Sequence, residues 1–322
     1  MTTNVLITGG FGYLGARMAS HLLRLPEHHV CLGGRTLPSP IPAELEGATA
    51  LRMDVLDDAD VRKACEGMTH VIHLAALNEI DSAKNPEQAV AVNIQGTLRM
   101  LRAARSAGVR RFIFLSTAHV YGAPLAGTIT ETTPCRPIHP YAITHRAAED
   151  FVLAAHKAGE IEGIVIRLSN GIGAPLHVGV NRWTLIGNDL CRQAVEKGEL
   201  VLNSPGLQRR DFITLQDVSR AMGHVMAMPA SEISGAIFNL GGECVLQMID
   251  IAELVADRCS AVLGFRPPIR RPQPAPGELA PQLEYRIDAL KATGFRLAGG
   301  LAEEIDRTLV LCRDGKGHGA HA

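Results

Sequence analysis

Glycines close to the N-terminus have the spacing of a turn that can hold a phosphate-linked ligand. Thr8–Gly15 follows directly on a predicted strand, Asn4–Ile7, and apolar residues recur after it at helical spacing. Such glycines permit a tight bend, let a pyrophosphate approach the backbone, and let the helix pack closely on the strand. The helix N-terminus then offers free N–H groups and a favourable dipole to the anion. We therefore predict a dinucleotide-binding site held by Gly9, Gly12, Tyr13, Leu14 and Gly15.

Residues at the end of the second predicted strand indicate whether NAD or NADP is the dinucleotide that binds. NAD sites of this type place an acidic residue about 20 positions beyond the turn, where it holds the ribose hydroxyls. Gly33 occupies that place, 18 residues after Gly15, so no negative charge repels a 2′-phosphate there. Arg35 offers a planar guanidinium that can pair with such a phosphate. The pattern favours NADP, with NAD as the alternative; without a phosphate partner, Arg35 is a surface residue of a loop.

A carboxylate at the end of the third predicted strand is compatible with two roles. Asp54 can accept a hydrogen bond from the adenine amino group, with Val55 beside it. Alternatively, Asp54 is a loop residue that caps the next helix, a role for which Asp57 and Asp58 compete. We assign Asp54 and Val55 to the cofactor site.

Strand and helix patterns alternate through the first half of the chain and would position these residues. Repeated βαβ units predict an α/β fold of the Rossmann type, a doubly wound parallel sheet with ligands at the carboxyl ends of the strands. Besides the first strand, the predicted strands are His29–Leu32, Thr49–Met53, His70–Ala76, Arg111–Leu115 and Gly163–Leu168. The predicted helices are Val61–Cys65, Gln88–Ala107 and one that begins near Tyr141.

The regular alternation of strand and helix patterns ends after Leu168. Turn residues and short elements dominate residues 170–206, helical patterns return at 216–228 and 248–263, and a proline-rich connector covers 266–276. We predict a dinucleotide-binding domain of residues 1–168 plus about 207–240. A smaller substrate-binding domain would comprise about 169–206 plus 241–322, with a disordered tail at about 314–322.

Composition limits the classes of function. Hydrophobic residues make up 46 % of the 322 residues and the net charge is −1, so electrostatics favour neither nucleic acid nor a membrane surface as a partner. The sequence has no apolar run of about 20 residues and no signal-peptide pattern. Its seven cysteines are scattered, which suggests reduced thiols and a cytoplasmic protein. We expect no metal site, because the two histidines of the tail are better explained as solvated side chains.

Six segments form a set of motifs that reaches along most of the chain. The set resembles that of the extended short-chain dehydrogenase/reductase family, the epimerases, dehydratases and reductases of nucleotide-linked sugars. The segments are Thr8–Gly15 (TGxxGxxG), His73–Ala76, Asn93–Thr97 (NxxGT), Ser116–Gly122, Arg167–Asn170 (RxxN) and Arg210–Val218 (RDFI…DV).

The resemblance implies roles for individual residues. In that family a tyrosine transfers the proton in a carbinol–ketone interconversion, and a serine or threonine donates a hydrogen bond to the same oxygen. A lysine four residues after the tyrosine holds the nicotinamide ribose and lowers the pKa of the phenol. Tyr141 and Thr117 match the first two roles, and His145 stands where the lysine is expected. The implied further cofactor contacts are Leu74, Ala75, Ala76, Asn93 and Ser116, together with Tyr141 and His145 themselves, and the implied substrate contacts are Thr117, His119, Asn170 and Arg210.

Some of these positions have alternatives. Arg210 can bind a substrate pyrophosphate or pair with Asp211, and His119 is either a substitute acid or a residue at the end of a strand. Further polar candidates for the pocket, each with a surface loop as its alternative, are Asn78, Glu79, His177, Asn181, Arg182 and Trp183.

The histidine departs from the family pattern in its charge. Tyr141 and His145 are four residues apart, so they share one helix face, but an imidazole with an ordinary pKa near 6.5 mostly lacks a charge at neutral pH. His145 either still holds the ribose, with activity rising as the pH falls through its pKa, or leaves the charge to Arg146 or another cation. In the third alternative the site is impaired, and the chain is a slow enzyme or a non-catalytic binder.

The active-site strand narrows the reaction. Thr117-Ala118-His119 lacks the Asp-Glu pair that follows the threonine in the family's sugar 4,6-dehydratases, which argues against dehydration. We expect an NADP-dependent reductase of a 4-keto group on a nucleotide-linked sugar. The alternatives are a 4-epimerase with tightly bound NAD(P) and a non-catalytic NAD(P)-binding sensor or scaffold. The resemblance also implies a homodimer formed through Gln88–Ala107 and Tyr141–Ala155.

Overall fold

The computed structural model describes residues 3–233 and 235–316. Its strands are β1 (Thr3–Thr8), β2 (His28–Gly34), β3 (Thr49–Arg52), β4 (His70–His73), β5 (Arg111–Thr117), β6 (Gly127–Ile129), β7 (Glu162–Leu168), β8 (Asn170–Ile172), β9 (Leu200–Val201), β10 (Arg209–Thr214), β11 (Ile237–Leu240), β12 (Val245–Gln247), β13 (Ile269–Arg270) and β14 (Leu283–Tyr285). Its α-helices are α1 (Tyr13–Leu22), α2 (Asp58–Cys65), α3 (Glu79–Lys84), α4 (Pro86–Ala89), α5 (Thr97–Ser106), α6 (Pro140–Lys157), α7 (Ile186–Lys197), α8 (Leu215–Ala227), α9 (Met248–Leu263), α10 (Asp288–Ala292) and α11 (Leu301–Lys316).

The largest sheet has seven parallel strands in the order β11-β7-β5-β4-β1-β2-β3. The chain builds outward from β1 in one direction and from β4 in the other, so the strand order reverses between these two. A crevice at such a reversal, at the carboxyl ends of the strands, is where ligands bind in open α/β sheets. The predicted doubly wound parallel sheet is confirmed.

Both faces of this sheet are covered by helices. Val5 and Ile7 of β1 pack into a core shared with α1 and α8, whereas Leu6 between them packs into a second core shared with α2, α5 and α6. Alternate side chains of a strand point to opposite faces, so a strand buried on both sides needs a continuous apolar run. Val5, Leu6 and Ile7 form such a run and are completely buried.

A third core lies on the other side of the crevice. The helices α7, α9 and α11 pack around it together with β10, and β8, β10 and β12 form a three-stranded sheet beside it. Strand β11, by contrast, is part of the large sheet, and helix α8 packs on one face of that sheet. The division into two domains at the predicted boundaries stays a prediction.

Three helices of this half, α7, α10 and α11, are absent from the sequence-based expectation. Residues 170–206 contain α7, whose buried face includes Leu190, Cys191 and Ala194. Gly187 and Asn188 in its first turn look like turn residues, but both are buried, and a Cβ on Gly187 would lie 2.7 Å from Ile172 Cδ1. The glycine is therefore required by packing and does not break the helix.

The C-terminal helix corrects the predicted tail. We expected disorder from about residue 314, but α11 continues to Lys316. Ile305 and Leu309 anchor this helix in the third core, and that long-range burial overrides the weak local pattern of its end. Residues 317–322 of the predicted tail lie outside the described residues.

The predicted helix Gln88–Ala107 contains an irregular segment. After α4, Val90–Gly96 forms a π-helix, and α5 follows. The spacing of apolar residues does not distinguish i→i+4 from i→i+5 hydrogen bonding, so the π-helix could not be predicted from the sequence. Single π turns are frequent at functional sites. Asn93 lies within this one.

Within the described ranges, no helix has the length and apolar character needed to cross a membrane.

Candidate active site

The glycine turn lies at the carboxyl end of β1, beside the loop that follows β4. Gly9 adopts a φ of +66°, and a Cβ on it would lie 3.2 Å from Ala75 N. A Cβ on Gly15 would collide with the carbonyl oxygen of Gly9. Both glycines are thus required by close backbone approach, as the sequence pattern predicted.

The N-terminus of α1 is open to an anion. Its N-cap residue is Gly12, which has no side chain to accept from the first N–H groups, and its first turn holds no acidic residue. Those N–H groups have no partner within the helix, so they and the helix dipole can receive a phosphate. The phenol of Tyr13 donates to the carbonyl oxygen of Gly173 at 2.8 Å, and Leu14 packs against the core, so these two residues face the site with their backbone.

A cavity of about 150 Å³ continues from the glycine turn along the ends of β2, β3 and β4. A Cβ on Gly33 would collide with Met53 Sδ, so Met53 fills the space that an acidic side chain would need. Arg35 also lines the cavity, is exposed, and forms no ion pair or hydrogen bond with any residue in the described part of the chain. The other predicted cofactor residues on its wall are Gly9, Asp54, Val55, Ala75 and Ala76.

The structure separates the two roles weighed for Asp54. Asp57 caps α2, because its Oδ1 accepts from the backbone N–H groups of Ala59 and Asp60 at 2.8 and 3.0 Å. Asp54 Oδ1 accepts from Leu56 N at 2.9 Å, which fixes the carboxylate on the cavity wall and leaves its second oxygen for a ligand.

Three predicted cofactor residues turn their side chains away from the cavity. Asn93 is buried, accepts from Leu77 N at 2.7 Å and donates to Thr144 Oγ1 at 2.9 Å. Ser116 donates to Glu149 Oε1 at 2.5 Å, and Leu74 packs against the core. Asn93 therefore holds the loop after β4 in place, Ser116 belongs to a buried network, and the assignment of all three residues to the cofactor site stays a prediction.

Tyr141 and His145 lie together on α6, with ring centroids 4.1 Å apart. Burial raises the pKa of Tyr141 to about 12, and Glu79 adds to the rise, whereas Arg182 and a hydrogen bond with Thr117 oppose it. Thr117 Oγ1 accepts from His119 N at 3.2 Å, so its own hydrogen is available to the Tyr141 phenol or to a substrate oxygen. The predicted trio is thus assembled at the end of β5 and the start of α6.

His145 is 2 % exposed, and its Nδ1 lies 2.8 Å from the carbonyl oxygen of Tyr141. A carbonyl accepts only, so Nδ1 carries the hydrogen and Nε2 is the acceptor nitrogen. Burial lowers the pKa of His145 to about 4, although the bond to Tyr141 and nearby Glu149 and Glu79 favour the charged form. The ring is therefore neutral at pH 7. If activity rises as His145 becomes protonated, that rise should occur near pH 4.

The structure also tests Arg146 as the replacement cation. Its Nη1 donates to Glu149 at 2.9 Å and its Nη2 to Asp150 at 2.6 Å. The guanidinium is thus engaged with two carboxylates, and Arg146 is not among the charged groups that shift the pKa of Tyr141. Arg146 is therefore the wrong residue for that role.

On the substrate side, several of the predicted polar residues lie around one carboxylate, that of Glu79. Glu79, the first residue of α3, is an ion-pair partner of Arg182 at 3.3 Å and favours the charged forms of His119 and Arg210. Arg210 donates to Gln208 at 3.2 Å, and Asp211 instead accepts from Ser169 and two backbone N–H groups. The alternative of an Arg210–Asp211 ion pair is wrong.

Three further polar candidates, Asn170, Asn78 and Trp183, have structural partners. Asn170 donates to the carbonyl oxygen of Asp211 at 3.0 Å and so ties β8 to β10, with its amide oxygen left for a ligand. Asn78 caps α3, and Trp183 donates to the carbonyl oxygen of Val178.

A buried ion pair beneath the site was not foreseen. Arg167 donates to both oxygens of Glu149, the shortest contact being 2.7 Å, and both side chains are almost fully buried. Glu149 lies four residues after His145 and so faces the same way on α6. That spacing was the available signal, but the partner strand β7 could not be read from it.

Comparisons with known proteins agree with this arrangement. The model of a family described as the NAD dependent epimerase/dehydratase family matches residues 5–241. A UDP-glucose 4-epimerase of Streptomyces lividans is 35 % identical over 281 residues, which cover 79 % of this chain and 80 % of the relative.

Solved structures share the fold at lower sequence identity. UDP-glucuronic acid 4-epimerase from Bacillus cereus, in complex with UDP-glucuronic acid and NAD, has a TM-score of 0.81 and 22 % identity, with 97 % of this chain and 99 % of that chain covered. RMD from Pseudomonas aeruginosa, complexed with NADPH, has a TM-score of 0.77 and 21 % identity, with 98 % and 100 % covered.

Proposed function

The chain belongs to the NAD dependent epimerase/dehydratase family and is an enzyme, and we propose that it inverts carbon 4 of a nucleotide-linked sugar. The observation that carries this proposal is the pair of hydroxyls, Thr117 and Tyr141, brought together at the end of β5 and the start of α6 in a chain 35 % identical to a UDP-glucose 4-epimerase. The epimerase alternative thus has better support than the reductase that we expected first.

The residues of the chain fit a nicotinamide dinucleotide. The open helix N-terminus at Gly12 suits its pyrophosphate, and the cavity beside Asp54 suits its adenosine. Such a group, when bound, supplies a reversible hydride acceptor. His145 would hold the nicotinamide ribose by accepting a hydroxyl hydrogen at Nε2, since its Nδ1 is already donating.

The side chains would handle the proton at the reacting carbon. Tyr141 takes the hydrogen of the C4 hydroxyl as that carbon is oxidised, and it returns the hydrogen when the carbon is reduced from the other face. Thr117 donates a hydrogen bond to the same oxygen, which stabilises negative charge that develops on it.

Dehydration lacks its acid–base pair in this chain. Elimination of water across two sugar carbons needs one group to remove a proton and another to protonate the leaving hydroxyl. Ala118 has no ionisable group, and burial together with Arg210 lowers the pKa of His119, which favours its neutral form. We therefore do not extend the proposal to 4,6-dehydration.

A second candidate, an NADP-dependent 4-keto reductase, is favoured by one observation at the cofactor site. Met53 fills the space beside Gly33, and Arg35 has no partner in the described part of the chain. A 2′-phosphate would find a guanidinium and no carboxylate there. The two neighbours named above carry NAD and NADPH respectively, so both dinucleotides occur on this fold.

The two candidates differ in what happens to the cofactor. An epimerase regenerates it in each turnover, so purified protein should release a dinucleotide on denaturation and act without added cofactor. A reductase should consume NADPH in proportion to the 4-keto sugar supplied. Mass spectrometry of the released small molecules, followed by both assays, tests the proposal; stoichiometric NADPH oxidation with no epimerisation would replace it by the second candidate.

We also propose that the chain forms a homodimer through the α5 and α6 surface. Ile143 and Phe151, two turns apart on α6, are 47 % and 42 % exposed, and Val90 near α5 is 43 % exposed. Apolar side chains clustered on neighbouring helices are typical of an interface. Sedimentation as a monomer at micromolar concentration would remove this part of the proposal. The cytoplasmic location stays a prediction.

A further inference from the structure

A second cavity lies at the opposite end of α1 from the glycine turn. Its volume is about 320 Å³, it is open to solvent, and it shares no lining residue with the cavity beside Asp54. Helix α1 runs from its N-cap at Gly12 to His21 in its last turn, so these two residues are about 13 Å apart along the helix axis. The second cavity is therefore separate from the cofactor site.

The wall of this second cavity is basic and comes from three segments. These are the end of α1, the middle of α8, and the segment that follows α10. Its polar side chains are His21, Arg220, His224 and Arg296, and its larger apolar ones are Leu25 and Phe295. No aspartate or glutamate in the described part of the chain lines it. A concave surface with charges of one sign attracts ligands of the opposite sign.

Arg220 keeps donors for a ligand. Its Nη1 donates to Asp217 Oδ1 at 2.6 Å and to the carbonyl oxygen of Arg296 at 2.9 Å, whereas its Nε and Nη2 have no hydrogen-bond partner among the described residues. Asp217 is 2 % exposed and also accepts from the backbone N–H groups of Ala298 and Gly299. That carboxylate is thus held inside the fold and balances the charge of one arginine only.

The charge of Arg296 is not balanced by a carboxylate. Its Nη1 donates to the carbonyl oxygens of Lys291 and Phe295 at 2.8 and 2.7 Å, and it forms no ion pair with any described residue. His21 has no hydrogen-bond partner in the described ranges either. Burial lowers the pKa of His21, and two cations, Arg24 and Arg220, lower it further, as expected in positive surroundings.

The wall is held in place before any ligand arrives. Thr293 Oγ1 donates its only hydrogen to the carbonyl oxygen of Leu290 at 2.7 Å, so it accepts from His224 Nε2 at 2.8 Å. The ring of Phe295 lies 5.7 Å from the guanidinium of Arg220 and 5.7 Å from the ring of His224. These contacts tie the segment after α10 to α8, so little order has to be gained on binding.

We propose that this cavity is a second binding site, for a small molecule that carries a phosphate group. The planar guanidinium groups of Arg220 and Arg296 match phosphate oxygens, and donors that come from separate segments suit a tetrahedral anion. The volume exceeds that of a bare phosphate, and Leu25 and Phe295 offer apolar surface to an organic part. The ligand class is therefore a phosphate monoester. The proposal does not depend on the reaction at Tyr141.

Binding can be followed at the two histidines of the wall. Ring C–H signals of the 13 histidines are recorded by NMR on dinucleotide-loaded protein, in which the phosphate site at the N-terminus of α1 is filled. The two signals are assigned from their loss in His21→Gln and His224→Gln. Phenyl phosphate and inorganic phosphate are the probes, each titrated at constant ionic strength set with sodium chloride.

Phenyl phosphate should shift both signals saturably with a Kd of about 1 mM, and inorganic phosphate should bind several-fold more weakly. Arg296→Gln should weaken phenyl phosphate binding about tenfold, because it removes the unbalanced charge. Arg62→Gln is the matched control, since it removes an equal charge from α2 and should leave the Kd unchanged.

A second variant places a negative charge in the cavity. A Cβ on Gly223 would have its nearest neighbour, His21 Nε2, at 3.7 Å, so Gly223→Glu fits the helix and should abolish binding. Circular dichroism checks that each variant is folded. Arg296→Gln gives the answer alone if Gly223→Glu does not fold, because Arg296 is exposed and bonds only to main-chain oxygens.

Three results would overturn the proposal. One is the absence of a saturable shift with either probe up to about 20 mM, well above the expected Kd. Another is an unchanged Kd in Arg296→Gln. The third is equal weakening in Arg62→Gln and Arg296→Gln, because that would mean general attraction to a positive surface without a site.

Discussion

The cofactor side and the catalytic side of the crevice are built by different means. On the cofactor side the backbone makes the site: Gly9, Gly12 and Gly15 bring a helix N-terminus to the end of β1, and the side chains mainly stay out of the way. On the catalytic side the environment makes the site, because Tyr141 lies among groups from four separate segments. A backbone site is visible in a short motif, whereas the chemistry of Tyr141 depends on partners that no motif contains.

The largest expected effect comes from removing the proton-transfer group. Tyr141→Phe should lower kcat by about 10²–10⁴-fold while the dinucleotide still binds, because the helix N-terminus at Gly12 and the cavity beside Asp54 are built without the phenol. Steady-state kinetics and a cofactor titration on the same preparation check this. Lys157→Gln is a control on α6, since Lys157 is exposed in the last turn of that helix. Equal loss of cofactor binding in Tyr141→Phe would break the distinction between the two sides.

The converse change acts on the cofactor side. In Gly15→Ala the new methyl group meets the Gly9 carbonyl, and overpacking of this kind costs about 1–3 kcal/mol in stability. Dinucleotide affinity should fall about tenfold or more, since the helix N-terminus is displaced. Chemical denaturation and calorimetric titration measure the two effects. Gly235→Ala, where no atom lies within 4 Å of the added Cβ, should change neither quantity.

The features that could and could not be predicted from the sequence follow the same contrast between backbone and environment. The parallel sheet and the glycine turn depend on local apolar runs and local backbone needs, so they were predicted well. The pairs Glu149–Arg167 and Glu79–Arg182 join segments far apart in the sequence, and nothing local specifies them. The same holds for α7, where Gly187 and Asn188 mimic a turn but are buried by tertiary packing. The buried partners of the Asn93 and Ser116 side chains, Leu77 N and Glu149, could not be predicted from the sequence either.

A substitution with a smaller expected effect tests which dinucleotide the cofactor side binds. If NADP is the ligand, Arg35→Gln should weaken NADP binding roughly tenfold and leave NAD binding unchanged, because only the 2′-phosphate is paired with the guanidinium. Arg52→Gln, a second arginine at the end of a neighbouring strand, serves as the control. Affinities for both dinucleotides, measured by fluorescence at one salt concentration, give the answer. Equal weakening of NAD and NADP would remove the assignment of Arg35 to the phosphate.

The last expected effect is the pH dependence of stability on the catalytic side. Burial lowers the pKa of His145 to about 4, below its value of about 6.5 in an unfolded chain. As the pH falls from 6.5 to 4, the unfolded chain takes up a proton that the folded chain refuses, so the free energy of unfolding declines. Urea unfolding at several pH values should show a shallower decline in His145→Gln than in wild type. The same slope in both would contradict a buried, neutral His145; His29→Gln, at an exposed position, should match wild type.

One isotope experiment examines inversion at carbon 4 on these residues. Purified protein without added cofactor is given a UDP-hexose carrying deuterium at carbon 4, and the products are followed by NMR. The proposal predicts the 4-epimer with deuterium retained at carbon 4, because the hydride leaves and returns within one active site, and it predicts no product with Tyr141→Phe. No epimer from dinucleotide-loaded wild-type protein across a panel of UDP- and dTDP-hexoses, or an epimer that has lost its deuterium to solvent, would contradict it.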